Sequence, residues 1–430
     1  LTCKAKAEKV TKPPQAYNGV KWMLHYRAKG KDYYNNLSSV YGTFDWKDLC
    51  FSVYIEEGVE SAELCLGLEM SSGNAWFENP KIFIGPQAAA MPVPALNPPP
   101  PFRGHDLPRL RGAMSPDEFK DGDFRVFADE WNANLVRWQI NHPNAKSGTV
   151  MDIAKYDLWL DSEIKDLDKL LEAALRYRFK VVIDLHTPPG GRSGDMSLRM
   201  FSESKYNEHF VEVWKRLATR YKGHPAVWAY DLVNEPVANL NPAPGMDYLT
   251  TQTRAAKAIR AIDTKTTILV ESLEMDNPRT FRELVPIDVS NVVYEVHMYE
   301  PGGFTHQGVG GQRTGIVYPG KIHDVYYDKE KLREILKPVR DFNLAYNAHI
   351  YVGEFSAARW APGAAKYLSD CIELFEEYGW DWTYHAFREW DGWSVEHEGG
   401  KDETRQASSP TDRKLVLLKW FEKNQKPSFK

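Results

Sequence analysis

The apolar and polar positions follow two different rhythms along the chain. In residues 1–87, short alternating runs at 19–26, 51–55, 62–68 and 76–84 are separated by Gly, Asn, Asp and Ser clusters, which reads as about five strands with no helix between them. From about residue 103, β-branched and aromatic runs alternate with segments of helical spacing. Strands are predicted near 110–113 and over 135–140, 180–186, 227–236, 267–271, 292–299, 350–355 and 382–387. Helices are predicted over 156–177, 206–221, 248–262, 329–342, 364–378 and 412–423, the first with Leu158, Ile164, Leu167, Leu171 and Leu175 on its apolar face. Eight strands alternating with helices predict an α/β fold, a (β/α)8 TIM barrel, over an open doubly wound sheet, for which no Gly-rich phosphate loop is present.

Between the two regions the run Pro98-Pro-Pro-Pro101 and its neighbours forbid helix and sheet, so residues 88–102 are expected to be a semi-rigid linker. The expected organisation is an N-terminal β-sandwich (jelly-roll-like) over 1–87, the linker over 88–102 and a catalytic barrel over 103–430. The stretch from Leu66 to residue 84 resembles the last strands of jelly-roll carbohydrate-binding modules, although a jelly roll has eight strands. A sugar-binding module and a mere packing domain are equally compatible with it.

Composition narrows the function. A net charge of −5 offers no basic surface for nucleic acid, and no apolar run approaches the roughly 20 residues of a membrane span. The 14 Trp, 22 Tyr and 19 Phe suit stacking on sugar rings as well as a large core. Cys50 and Cys65 lie in neighbouring strand-like runs and are close enough in sequence to pair, Cys371 reads as a buried apolar residue, and no metal-type CxxC spacing occurs. The chain starts at Leu1 without an initiator Met or signal peptide, as a processed or truncated form would.

The chemistry concentrates at strand ends. Val227-Trp-Ala-Tyr-Asp-Leu-Val-Asn-Glu-Pro236 ends a buried strand in Asn234 and Glu235; Arg137 ends the second strand, His186 the third, His297 and Tyr299 the sixth, and Glu354 the seventh. In a barrel these ends converge on one face. Singly, His186 reads as a satisfied core histidine and Arg137 as a salt-bridged strand end; together they form a site. Glu295, His297 and Tyr299 share parity and point to one side of their strand. Two carboxyl groups, one protonated and one ionised, are the apparatus of glycoside hydrolysis. Glu235 is assigned as acid/base and Glu354 as nucleophile, with Arg137 and Tyr299 holding Glu354, Asn234 on a 2-hydroxyl, and His186 and His297 recognising hydroxyls.

Leu232-Val-Asn-Glu-Pro236 and Val352-Gly-Glu-Phe355, with the Arg, His and His-x-Tyr positions at Arg137, His186, His297 and Tyr299, resemble glycoside hydrolase family 5, the cellulase-like retaining β-glycosidases. The resemblance covers residues 103–425 and implies the same two glutamates, with no cofactor. It departs at the eighth strand, where the family has a tryptophan flooring the cleaved sugar's subsite and this chain has His385. Trp390 is chosen as the platform, Glu389 as a further substrate-binding carboxylate, with Arg388 a cation nearby. That region and the loop from His186 to Arg192 are expected to block part of the cleft, which favours exo attack or an unusual glycan. The expected substrate is a β-glucan or β-mannan and the expected location extracellular or periplasmic. The alternatives are a non-catalytic glycan-binding protein, disfavoured by the two intact glutamates, and a metal-dependent hydrolase with His186 and His297 as ligands.

Overall fold

The computed structural model describes the chain except residues 16, 38–39, 52, 54, 56–57, 83–90, 116–117, 145–146, 195, 239–244, 323, 404 and 430. It divides into two compact units, Leu1–Gln87 and Ala88–Lys430. The first holds β1 (Thr2–Val10), β2 (Gly19–Ala28), β3 (Lys31–Asn36), β4 (Gly42–Cys50), β5 (Val59–Glu69) and β6 (Asn74–Lys81). They form two antiparallel three-stranded sheets, β4-β1-β6 and β3-β2-β5, a β-sandwich with Cys3, Ala5 and Ala7 of β1 and Val20, Trp22 and Tyr26 of β2 in its core.

The strand expected over 51–55 is displaced. The observed strand is β4, ending at Cys50, and residues 52 and 54 lie outside the described set, as do 83–84 of the expected last strand. β1 escaped the sequence reading because its inward residues are small: Lys and Glu alternate with Cys and Ala, a weak apolar signal. Cys50 and Cys65 fall on strands of different sheets, and the Cys65 thiol is free. Of the expected linker, residues 88–90 are outside the described set, and 91–102 carry neither helix nor strand.

The second unit contains eight parallel strands, β7 (Arg111–Ser115), β8 (Leu135–Gln139), β9 (Lys180–Asp184), β10 (Val227–Asp231), β11 (Thr267–Val270), β12 (Val292–Met298), β15 (Ile350–Phe355) and β16 (Asp381–Tyr384). They close into a barrel, β10-β11-β12-β15-β16-β7-β8-β9, the (β/α)8 TIM architecture. A small hairpin, β13 (Gly320–Ile322) and β14 (Val325–Tyr327), occupies the long loop after β12. The major helices are α1 (Ile153–Tyr177), α2 (Ser204–Tyr221), α3 (Tyr248–Arg260), α4 (Lys329–Tyr346), α5 (Ala364–Tyr378) and α6 (Asp412–Phe421). Asp152, Asp247, Asp328 and Thr411 cap α1, α3, α4 and α6 by accepting an N–H of the first turn. On α1 the buried stripe is Tyr156, Leu160, Ile164, Leu167, Leu170 and Leu171. Leu158, expected on that stripe, is 71% exposed, because two residues from Tyr156 or Leu160 turn it to the opposite face.

The strands are shorter than their apolar runs predict. β9 stops at Asp184, two residues before His186, and β10 stops at Asp231, three before Asn234. No helix among the described residues is long and apolar enough to cross a membrane.

Candidate active site

The barrel interior is layered by the two-residue period of its strands. Leu135, Val182, Ala229, Leu269 and Val293 belong to one apolar cluster with Leu107, Leu110, Trp228 and Tyr351. Two residues further along the same strands, or just past their ends, stand Arg137, Asp184, Asp231, Glu271 and Glu295, all fully buried. The Arg137 guanidinium is thus the hub of five carboxyl groups. It meets Asp231 at 2.6 Å, Glu354 at 2.8 Å, Glu271 at 3.0 Å, Glu295 at 3.1 Å and Asp184 at 3.2 Å, and also donates to Asn234 Oδ1 at 3.0 Å. Arg137 therefore lies mid-strand within the barrel and not at its rim.

Glu354 sits on β15 beside Gly353, and the glycine has a steric cause. A Cβ at Gly353 would lie 1.5 Å from Glu295 Oε1, where the β12–β15 register shifts between Val296 and His297. Glu354 Oε1 accepts from Arg137 Nη1, and Oε2 accepts from the Tyr299 hydroxyl at 2.8 Å and lies 3.0 Å from His385 Nδ1. Burial opposes ionisation of Glu354, but His297, His385 and Arg137 outweigh it and hold the carboxyl well below its usual range. Burial and Glu354 push the Tyr299 phenol well above its ordinary value, so it remains a donor.

Asn234 and Glu235 occupy the loop after β10. Glu235 takes a left-handed backbone, φ 48°, a conformation a non-glycine residue keeps only under outside restraint. The restraint is visible: its N–H donates to Glu271 Oε2 at 2.6 Å, and its carbonyl accepts from Arg192 at 3.1 Å. Its side chain is partly open, with Oε1 at 3.3 Å from His297 Nδ1. One carboxylate oxygen of Glu235, one of Glu354 and a ring nitrogen of His297 all lie within 4.8 Å of one another. Despite burial, Glu354 and Glu271 raise the His297 pKa well above the ordinary range, so the ring is an imidazolium.

His186 bonds Asp184 through Nδ1 at 2.8 Å and meets Asn234 Nδ2 through Nε2 at 3.2 Å. With Nδ1–H donated to the carboxylate, Nε2 accepts from Asn234. The loop behind it is buried from Thr187 to Arg192. It braces Glu235 through Arg192, with the Tyr206 ring 2.5 Å from where a Gly190 Cβ would stand.

After β16, His385 stands between two carboxylates, with Nε2 at 2.6 Å from Glu389 Oε2. Trp393, 7% exposed, packs near Tyr299, His306 and His385. Trp390, the expected platform, is 43% exposed and crosses Trp360 and Trp393 edge-on. Arg388 is committed elsewhere, to Glu396 at 2.7 Å and Asp123 at 2.6 Å.

Sequence reasoning left out Asp231 and Glu271 as site residues, although each follows an inward apolar residue by two places. Among the described residues three groups have metal-ligand geometry: Glu235, His297 and Glu354; Glu271, Glu295 and His297; and His105, His349 and Asp381. His186 is in none of them.

Residues 101–391, well over half of the chain, match the family description Cellulase (glycosyl hydrolase family 5). The chain belongs to glycosyl hydrolase family 5. It is a glycosidase with a carbohydrate substrate. It is 28% identical over 249 residues to Endoglucanase C of Acetivibrio thermocellus, covering 51% of this chain and 71% of that protein. It is 25% identical over 285 residues to Cellodextrinase A of Ruminococcus flavefaciens, covering 63% and 79%. Cel5A of Thermotoga maritima in complex with cellobiose superposes on 71% of this chain and 96% of its own, with a TM-score of 0.56 and 24% identity.

Proposed function

We propose that this family 5 glycosidase cleaves the β-glycosidic bonds of a β-glucan by double displacement, with Glu354 as nucleophile and Glu235 as acid/base. The observation that carries the reading is the pair itself: carboxylate oxygens of Glu235 and Glu354 within 4.8 Å, near the roughly 5–5.5 Å that suits direct attack and short of the roughly 6.5–9.5 Å of inverting enzymes. Glu354 forms a bond to the anomeric carbon while the glycosidic oxygen leaves with its electron pair and takes the Glu235 proton. Glu235 then removes a proton from water, whose oxygen displaces Glu354 and restores the carboxylate. The β-configuration is kept.

The surroundings of the two carboxyl groups differ. Glu354 is wrapped in donors and ionised, whereas the Glu235 side chain is partly open, with Oε1 3.3 Å from His297 Nδ1. Asn234, with one amide N–H turned to His186, has the other for a sugar 2-hydroxyl. His186, His297 and Glu389 bind further hydroxyls, and Trp390 offers its open face to a neighbouring sugar. Relatives described as endoglucanases and a cellodextrinase favour glucan over mannan.

The test is Glu354→Gly. It loses turnover by several orders of magnitude on aryl β-glycosides, and azide, bonding to the anomeric carbon as the aglycone leaves, restores part of it and yields the α-glycosyl azide. An active variant overturns the assignment. In wild type, the first product seen by NMR is the β-anomer. Viscosity loss on soluble β-glucan distinguishes internal cleavage from attack at chain ends.

A further inference from the structure

The eighth strand delivers a histidine to the nucleophile, and its surroundings define its charge. His385 Nδ1 lies 3.0 Å from Glu354 Oε2 and is also in contact with the Tyr299 hydroxyl, while Nε2 lies 2.6 Å from Glu389 Oε2. A neutral imidazole has one N–H and one lone pair. With a carboxylate at each nitrogen, a neutral ring would set a lone pair against an anion; two N–H donors satisfy both. The two carboxylates therefore favour the imidazolium. Trp393 packs against the His385 ring.

We propose that His385, charged and oriented by Glu389, is a positioning residue for Glu354 that governs how readily the covalent sugar–enzyme ester breaks down. The proposal rests on the assignment of Glu354 as nucleophile. In the free enzyme His385 adds to Arg137 and Tyr299 a third donor on the Glu354 carboxylate. When Glu354 is esterified its negative charge disappears, yet Glu389 remains to keep His385 protonated. A cation then stands beside the carboxylate that must leave in the second step, and it stabilises the negative charge returning to Glu354. No proton moves through His385 in either step; the proton exchanges stay with Glu235 and water.

The charged and titratable groups facing His385 come from several elements. Glu354 lies on β15, Tyr299 and His306 follow β12, and Glu389 follows β16; His297, Arg137 and Glu235 share the same site. Burial lowers the His385 pKa, but Glu389 and Glu354 outweigh it and raise the group to about 10.

The experiment compares wild type with Glu389→Gln, which keeps the shape and a hydrogen-bonding group but removes the charge. On an activated aryl β-glycoside, kcat falls by about tenfold to a hundredfold. KM falls with it, because the ester accumulates. The basic limb of the kcat–pH profile moves to lower pH, since His385 deprotonates sooner. Imidazole ¹⁵N NMR of wild type at about pH 8, above the ordinary histidine range near 6.5, shows both His385 nitrogens protonated. A neutral His385 in that spectrum, or a Glu389→Gln profile superimposing on wild type, overturns the proposal. The spectrum of wild type decides alone if the variant does not fold. An active Glu354→Gly variant would instead sink the nucleophile assignment. An inactive one, paired with an unshifted Glu389→Gln profile, would sink only the role of His385.

Discussion

At the scale of the residue, the site is governed by what surrounds each charge. Arg137 has no exposed surface and meets five carboxyl groups, so its replacement leaves the ionised, buried Glu354 without this counter-charge. Arg137→Leu is expected to cost about 3–5 kcal/mol, as breaking a buried pair does, read as a lower urea midpoint, and to abolish turnover even where the variant remains folded. Gly353 is constrained by space. Gly353→Ala puts a methyl 1.5 Å from Glu295 Oε1 and is expected to cost about 1–3 kcal/mol through overpacking. It also lowers kcat, because Glu295 and Glu354 both flank the disturbed register. A Gly353→Ala enzyme as stable and active as wild type would show that Glu295 swings aside freely.

At the scale of the element, the foot of the barrel is closed by a second polar cluster. Asp381, the first residue of β16, accepts from His105 and His349, each at 2.7 Å, and from the Leu110 N–H at 2.7 Å. These bonds tie the segment before β7 to β16 and to the residue preceding β15. Burial pushes the His349 pKa below its ordinary value even though Asp381 opposes this. A histidine whose folded pKa is depressed takes up its proton first in the unfolded chain. Its contribution is therefore lost as pH falls below the unfolded value of about 6.5. Asp381, held well below its normal range because His105 and His349 outweigh its burial, adds a further loss below about pH 4. His349→Asn is expected to have a lower melting temperature at neutral pH and a flatter decline between about pH 7 and 5. A decline as steep as that of wild type would remove His349 from the account.

At the scale of the whole molecule, these ionisations act against one another. Burial, reinforced by neighbouring carboxylates, raises Asp231, Glu271 and Asp276 well above the usual carboxyl range. A carboxyl raised in the folded state gives stability that is complete below the unfolded pKa of about 4 and is lost as pH rises through the folded value. The imidazolium groups of His297 and His385, raised by their carboxylate partners, lose theirs on the same alkaline side. Glu354, Asp381 and His349 lose theirs on the acid side. The melting temperature should therefore peak on the acid side of neutrality, between about pH 4 and 6.5. A calorimetric maximum at alkaline pH would contradict the raised carboxyl groups.

The sequence by itself determined the repeating unit. Long amphipathic helices and β-branched strands have periods that survive without neighbours, and so the barrel, its strand count and the residues Glu235 and Glu354 were legible. The signal failed where small residues carry the core, as in β1, and where an apolar run outlasts its ladder, as at Leu232 and Val233 beyond β10. Only the tertiary structure decided which charges meet. Barrel closure lets Arg137 of β8 reach across the interior to carboxyl groups on or just past β10, β11, β12 and β15, and a residue that reads as a strand end becomes the hub of the site. It also turns the loop from His186 to Arg192 inward as a brace for Glu235, and sets His385 between Glu354 and Glu389. Apart from His385 and Glu389, four residues apart, those partners are separated by tens to hundreds of residues, and their contacts follow from closing the sheet and from register, which no local pattern of apolar and polar positions encodes.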